Sequence, residues 1–139
     1  MEYKRFRDTL ILRIDPGEEI LETLKKVAEK EQIKLAEVSA LGAIGEFTTG
    51  VFDPEKKQYS SNDFKGHYEI VSLTGTVTEM EGACYLHIHM SAGDGAGHVF
   101  GGHLNRAVVS ATSEMVIRVI DGHVGRKFDD KIGLNLFEF

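Results

Sequence analysis

The chain has 139 residues, of which 42% are hydrophobic and 27% are charged, and its formal net charge is -6 at pH 7. This composition excludes a mainly disordered chain, which would lack the apolar surface needed to offset the entropy lost on ordering, and the length predicts one domain over residues 1–139. The acidic excess argues against general affinity for nucleic acid. The single cysteine excludes an intrachain disulfide, and no segment has the apolar length of a signal peptide or a membrane span, so we expect a cytoplasmic protein.

The first predicted elements are a strand over residues 9–14 and an amphipathic helix that follows it directly. Asp15 is the candidate N-cap, Pro16 occupies the first helical position, and Asp15 and Glu18 have the spacing of a capping box. Apolar residues then recur at helical spacing: Ile20, Leu21, Leu24, Val27 and Ala28. The pattern predicts a helix that lies with one face on a sheet and leaves its charged face in solvent.

The remainder of the chain predicts β-structure. Residues 36–52 are rich in Gly, Ala, Val, Phe and Thr, which indicates short or bent strands, and the turn at residues 53–57 predicts a hairpin. Three further β-prone runs cover residues 67–78, 83–90 and 111–120. The segments between these later runs are too short or too Gly-rich for crossover helices. The predicted fold class is therefore α+β, a single compact domain with a mainly antiparallel sheet and one main helix after the first strand.

Two histidines share one face of the strand predicted at residues 83–90. Because side chains alternate along a strand, His87 and His89 project to one side, whereas Ile88 and Met90 project to the apolar side. Two adjacent imidazoles can share a metal ion such as zinc, for which a histidine nitrogen is a preferred ligand. The pair therefore predicts part of a metal site.

A third ligand depends on how the following strand pairs. If residues 83–90 and 99–104 form a hairpin with an even register, His103 lies on the same face, diagonal to His87. Three histidines with an open fourth position are typical of catalytic or exchangeable zinc, because structural zinc sites usually have four protein ligands. A bulge at Gly101 and Gly102 would instead turn His103 away, and the histidines would then be ordinary residues of a half-exposed sheet face.

Two other reactive side chains near these histidines carry weaker signals. His98 has the opposite parity to His103 and follows a glycine, which favours a loop position over a metal ligand. The odd separation of Cys84 from His87 sends the two side chains to opposite faces of the strand. We therefore expect Cys84 to be a small buried hydrophobe rather than a nucleophile.

Two carboxylates offer a second route to chemistry. Glu69 and Glu114 lie within apolar strand runs, where burial would raise the pKa of a carboxyl group and make it a general base. Alternatively, both lie on a solvated sheet face, where Glu114 would pair with Arg118. The basic residues occur in small groups such as Arg126 and Lys127, which predict a solvated surface rather than a DNA-binding strip.

In chain order, these features resemble the PPC domain, the domain conserved in plants and prokaryotes. The resemblance covers nearly the full chain and combines glycines with histidines. It rests on the segments DPGEE at 15–19, LGAIG at 41–45, GHYEIVSLTG at 66–75, LHIHMS at 86–91, GGHL at 101–104 and ATSE at 111–114.

The resemblance implies an α+β subunit that associates as a homotrimer. In prokaryotic members the matching histidines look like a metal site, so His87, His89 and His103 are implied ligands of a divalent transition metal, with zinc as the expected ion. Plant members carry an AT-hook that enters the DNA minor groove before this domain, and nothing in this sequence matches it. Their partner-contact signature Gly-Arg-Phe-Glu-Ile is GHYEI at 66–70 here, which leaves Glu69 and His67 as implied contacts to a partner or ligand.

Three functions remain open from the sequence. The leading hypothesis is a trimeric, non-membrane PPC protein that is DNA-binding or regulatory by resemblance and acts through assembly or small-ligand binding. An alternative is a metal-dependent enzyme in which the ion polarises a small substrate or lowers the pKa of a bound water, with Glu69 or Glu114 as the base. A DNA-binding regulator is the third, and it would need a basic face assembled by oligomerisation.

Overall fold

The computed structural model describes residues 1–139 as eight strands and one helix. In chain order these are β1 (Glu2–Phe6), β2 (Thr9–Ile14), α1 (Ile20–Lys30), β3 (Ala36–Asp53), β4 (Gln58–Met80), β5 (Ala83–Gly93), β6 (Val99–Val119), β7 (Gly125–Asp129) and β8 (Leu134–Glu138). Every strand pairing is antiparallel. The predicted α+β class, with a mainly antiparallel sheet and one helix after the first strands, is confirmed.

Six strands form one sheet in the order β1-β2-β6-β3-β4-β5, and β7 and β8 form a separate two-stranded sheet. The strand β5 also pairs with the first residues of β6. This additional ladder closes the run β6-β3-β4-β5 on itself, so the last strand of the sheet has no free edge over that stretch. The closure brings the beginning of β6 beside β5, and this is what positions the functional site.

The long strand β3 bends at Gly42, where it passes close to β6. A Cβ atom at Gly42 would lie 2.2 Å from the carbonyl oxygen of Thr112, and the residue has a φ of +140°. The register of β3 with its neighbours shifts on both sides of this glycine. The sequence predicted short or bent strands here, and the structure has one bent strand of 18 residues. The predicted hairpin is confirmed, since Phe52 of β3 faces Tyr59 of β4.

The helix begins later than predicted, and its N-cap is Glu19 rather than Asp15. The Glu19 side chain accepts a hydrogen bond from the backbone N–H of Glu22 at 2.7 Å. The Glu18 side chain accepts from the backbone N–H of Asp15 at 2.8 Å, so the predicted capping pair closes the turn before the helix. The predicted start at Pro16 is wrong by four residues. The predicted apolar face is confirmed for Ile20, Leu24, Val27 and Ala28, which are buried.

The hydrophobic core lies between α1 and the sheet. It contains 23 buried hydrophobic residues, which come from the helix, from strands β2 to β6 and, in the case of Ile33, from the loop after the helix. The strands β1, β7 and β8 were not predicted, because most of their residues are exposed and show no apolar alternation. No helix in the protein has the length and apolar character needed to cross a membrane.

Candidate metal centre

The three predicted histidines meet on one face of the sheet, where β5 lies beside β6. His89 faces His103 directly across the ladder, and His87 lies one diagonal position away. The centroids of the imidazole rings are 5.2 Å (His87 to His89), 5.3 Å (His87 to His103) and 5.4 Å (His89 to His103) apart. One ring nitrogen or other ligand atom of each residue lies within 4.8 Å of the other two. We refer to these three residues as the histidine cluster.

The spacing of the histidine cluster suits one bound ion. Two nitrogens that each lie about 2.0–2.1 Å from a tetrahedral zinc ion are about 3.3 Å apart. The ligand atoms of the cluster lie within 4.8 Å of one another, so small side-chain rotations would bring them to that distance. The cluster could therefore hold a metal ion through three neutral imidazoles, and it would leave the fourth position to another ligand.

Alternation along β5 and an unbroken register with β6 place the cluster. Ile88 and Met90 are 1% and 3% exposed on the opposite face, as the parity of the strand predicts. The pairing runs without a shift from Gly93 to His89, so the alternative bulge at Gly101 and Gly102 does not form. A Cβ atom at Gly102 would lie 2.5 Å from the carbonyl oxygen of Gly50 in β3. Only glycine fits this close approach, which keeps β6 against β3 immediately before His103.

Burial keeps two members of the cluster, His87 and His103, in the form that binds metals. Desolvation lowers the pKa of His87, and the positive charges of Arg126, His103 and His89 lower it further. Desolvation also lowers the pKa of His103, with a smaller contribution from His89. At neutral pH both imidazoles are therefore held neutral, with a lone pair free for a metal ion.

The histidine cluster lines one side of a cavity of about 940 Å³, which we call the site cavity. Strand β8 and the turn before it supply much of its apolar wall. Polar groups come from few positions, and no Asp or Glu lines the cavity. The apolar side chains are Val51, Phe52, Pro54, Ile132, Leu134, Leu136 and Phe137, and the polar ones besides the histidines are Tyr59, Tyr85, Asn105, Arg126 and Asn135.

Neither candidate base reaches the histidine cluster. Glu69 and Glu114 are exposed and do not line the site cavity. Arg118 lies 4.0 Å from Glu37, and Glu114 faces Arg13 across the β2–β6 ladder. The expected pair of Glu114 with Arg118 is therefore wrong, because a cross-strand neighbour takes the guanidinium.

The remaining histidines lie apart from the cluster. His67 is exposed on β4, near the start of the segment that carries the partner-contact resemblance. His98 lies in the turn before β6, where its Nδ1 is 3.0 Å from a carboxylate oxygen of Asp94. His123 lies 3.2 Å from Glu79. The loop position predicted for His98 is confirmed, and none of the three joins a group that could hold a metal.

Sequence reasoning missed Arg126. We expected a solvated surface residue, but Arg126 is only 8% exposed and lines the site cavity. Its guanidinium carbon lies 4.3 Å from the centre of the Phe137 ring and 4.8 Å from that of Tyr85. No local pattern marks it, because its burial depends on how β7 and β8 pack against β4. Cys84 is half-buried, and desolvation raises the pKa of its thiol, consistent with a small hydrophobe.

Comparison with known proteins gives the fold and the cluster a family context. The family model of the Plants and Prokaryotes Conserved (PCC) domain, the PPC domain that the sequence resembles, matches residues 1–121. The crystal structure of a "putative dna binding protein" from Bacteroides thetaiotaomicron has 30% identity and a TM-score of 0.96 over 99% of this chain and 96% of that one. A metal-containing protein from Archaeoglobus fulgidus has 32% identity and a TM-score of 0.88 over 99% of this chain and 97% of that one.

A curated protein is also similar over part of its length. The bifunctional protein GlmU of a Synechococcus strain is 27% identical over 108 residues, which are 76% of this chain. The match spans only 16% of that relative. The similarity therefore concerns one segment of a much longer protein.

Proposed function

The chain belongs to the Plants and Prokaryotes Conserved (PCC) domain family, and from this premise we propose that it is a homotrimeric protein that holds one zinc ion per chain and binds a small ligand there. One observation carries the proposal. His87, His89 and His103 converge on one face beside a cavity, with their ligand atoms within 4.8 Å of one another.

The donor set favours a transition metal such as zinc over magnesium or calcium. Three imidazoles suit zinc, copper, iron and nickel, whereas magnesium and calcium prefer oxygen ligands, and no carboxylate lies in the site cavity. A zinc ion held by three histidines would supply a Lewis-acidic position that is open to the cavity. The 32% identical protein from Archaeoglobus fulgidus, named as metal-containing, supports a resident metal.

The cavity favours ligand binding over the metal-dependent enzyme considered above. That enzyme would use Glu69 or Glu114 as a base, and both are exposed outside the site cavity. The Tyr59 hydroxyl donates a hydrogen bond to the side-chain oxygen of Asn105. The lining therefore offers groups that orient a ligand and no carboxylate that would take a proton.

Two neighbouring exposed valines on β4 and β6 support a contact between subunits in the proposed trimer. Val71 and Val99 are 61% and 57% exposed, and both lie beside Gly93 of β5. Oligomer contacts typically cover exposed apolar surface. Light scattering should give a mass three times that of the 15.4 kDa chain, and Val71→Glu should lower it. A monomer at micromolar concentration would contradict the assembly.

Duplex DNA is the second candidate partner. The observation in its favour is the relative from Bacteroides thetaiotaomicron, which is 30% identical and is named for DNA binding. The formal charge of -6 opposes it, and association of subunits would have to assemble a basic face from dispersed Lys and Arg residues.

Metal content tests the central proposal. Untagged protein purified without chelator should contain about one zinc ion per chain, and single substitutions of His87 or His103 by Ala should remove it. His98→Ala is the matched control, because His98 is a histidine of the same hairpin that lies outside the cluster. Metal-free protein that also fails to bind added zinc, or unchanged zinc content in both cluster variants, would overturn the proposal.

A further inference from the structure

Arg126 is a buried cation without an acidic partner. Its guanidinium donates hydrogen bonds to Thr78 Oγ1 at 3.1 Å, to the carbonyl oxygen of Asn135 at 3.1 Å and to Thr76 Oγ1 at 3.3 Å. All three acceptors are neutral, and Arg126 takes part in no salt bridge of the protein. A guanidinium has five N–H groups, so two remain for another acceptor.

The position of this guanidinium is fixed. The rings of Tyr85 and Phe137 lie 4.8 Å and 4.3 Å from its central carbon, which confines its plane. The Tyr85 hydroxyl in turn accepts a hydrogen bond from the side-chain amide of Asn135 at 3.3 Å. The two aromatic contacts offset part of the cost of removing the charge from water, but they do not neutralise it. The cation is therefore oriented in advance, in a cavity that it shares with the histidine cluster.

The charges in the site cavity do not balance. A divalent ion at the histidine cluster and the guanidinium of Arg126 would together carry three positive charges, and no Asp or Glu lines the cavity. Like charges repel more strongly beside an apolar wall than in bulk water, because the effective dielectric constant there is lower. Arg126 and His87 both line the site cavity, so the two charges would face the same enclosed space. An anion between them would satisfy both.

We propose that the site cavity binds the carboxylate of a small organic acid, which Arg126 recognises beside the metal held by the histidine cluster, while the apolar wall takes the body of the acid. The planar donor pair of a guanidinium matches the two oxygens of a carboxylate. The wall around the site, with Phe52, Leu134 and Leu136, suits a hydrocarbon group rather than a polyanion. This inference rests on the proposed metal site and names the class of ligand for it.

A cobalt titration separates the two proposals. The full chain, loaded with Co²⁺ in place of zinc, should change its visible absorption on addition of phenylacetate and saturate. Phenylacetamide, which has the same ring and no charge, should bind roughly tenfold more weakly or worse, since it loses a charge-assisted hydrogen-bonded pair. If no Co²⁺ binds, the metal site itself fails. If Co²⁺ binds and phenylacetate has no effect, only the ligand inference fails.

Substitution of Arg126 tests which residue recognises the carboxylate. Arg126→Gln should weaken phenylacetate binding by roughly tenfold or more and leave Co²⁺ affinity equal or higher, because a repelling charge is removed. Arg118→Gln, an exposed arginine on β6, is the matched control and should bind both as the unsubstituted protein does. If Arg126→Gln does not fold, Arg126→Lys is used instead, because lysine keeps the positive charge but lacks the planar donor pair.

Two further outcomes would overturn the inference. Equal affinity for phenylacetate and phenylacetamide would mean that charge is not recognised. Tighter binding of inorganic phosphate than of phenylacetate would mean that the site takes a polyanion.

Discussion

Replacing Gly102 by Ala should disturb both the fold and the metal site, because Gly102 lies where β6 approaches β3 most closely beside the histidine cluster. The added Cβ would lie 2.5 Å from the carbonyl oxygen of Gly50, and ordinary contact begins at 3.4 Å, so the strands must separate by about 0.9 Å. Overpacking of this kind costs about 1–3 kcal/mol of stability. Urea unfolding of metal-free Gly102→Ala should show a loss of that size.

The same displacement should weaken zinc binding, since Gly102 precedes His103. Metal–ligand distances tolerate shifts of only about 0.2 Å, and perturbing the residues that orient a ligand typically costs about 10–100-fold in affinity. Competition with a chromophoric chelator measures this loss. Gly95→Ala is the control, because nothing lies within 4 Å of its Cβ position, and it should change stability by less than about 0.5 kcal/mol. Unchanged zinc affinity in Gly102→Ala would refute the reasoning that this contact positions His103.

Three other results should follow. Metal-free protein should lose stability as the pH falls below about 6.5. Folding lowers the pKa of His87 and of His103, so at these pH values the unfolded chain binds more protons than the folded one. Urea midpoints measured at two pH values should differ less in His103→Gln than in the unsubstituted protein. Native Cys84 should react slowly with a thiol reagent, since burial raises the pKa of its thiol, and fast labelling that equals the denatured rate would contradict this. Duplex DNA should not bind even at low salt, where phosphate contacts are strongest, and a salt-sensitive affinity would instead support DNA as a partner.

Local patterns determined most of the candidate site. The two-residue spacing of His87 and His89 requires that they share a face once the segment is a strand, and the even register then adds His103. The helix start could not be derived in the same way. The side chain of Glu19 accepts a hydrogen bond from the backbone N–H of Ala107 on β6 at 2.8 Å, so a contact between residues 88 positions apart selects the N-cap.

The burial of Arg126 has a similar origin. Its partners Thr76 and Thr78 lie about fifty residues earlier in the chain, on β4. The segment GRKFD itself has the composition of an exposed edge strand, and nothing in it distinguishes Arg126 from Lys127. Residues that depend on such long-range packing carry no signal in a single sequence, although they complete the chemistry of the cavity.

The ladder between β5 and β6 is the shortest in the closed run of strands, with five residue pairs from His89 and His103 to Gly93 and Val99. A short ladder is where a closed sheet opens first, and its amides should therefore exchange with solvent faster than those of β3 and β4. The proposed ion, bound by His89 and His103, would cross-link β5 to β6 at the end of this ladder, and the ladder could then open only after the metal is released. Amide exchange in the β5–β6 ladder would therefore report metal occupancy in solution, residue by residue.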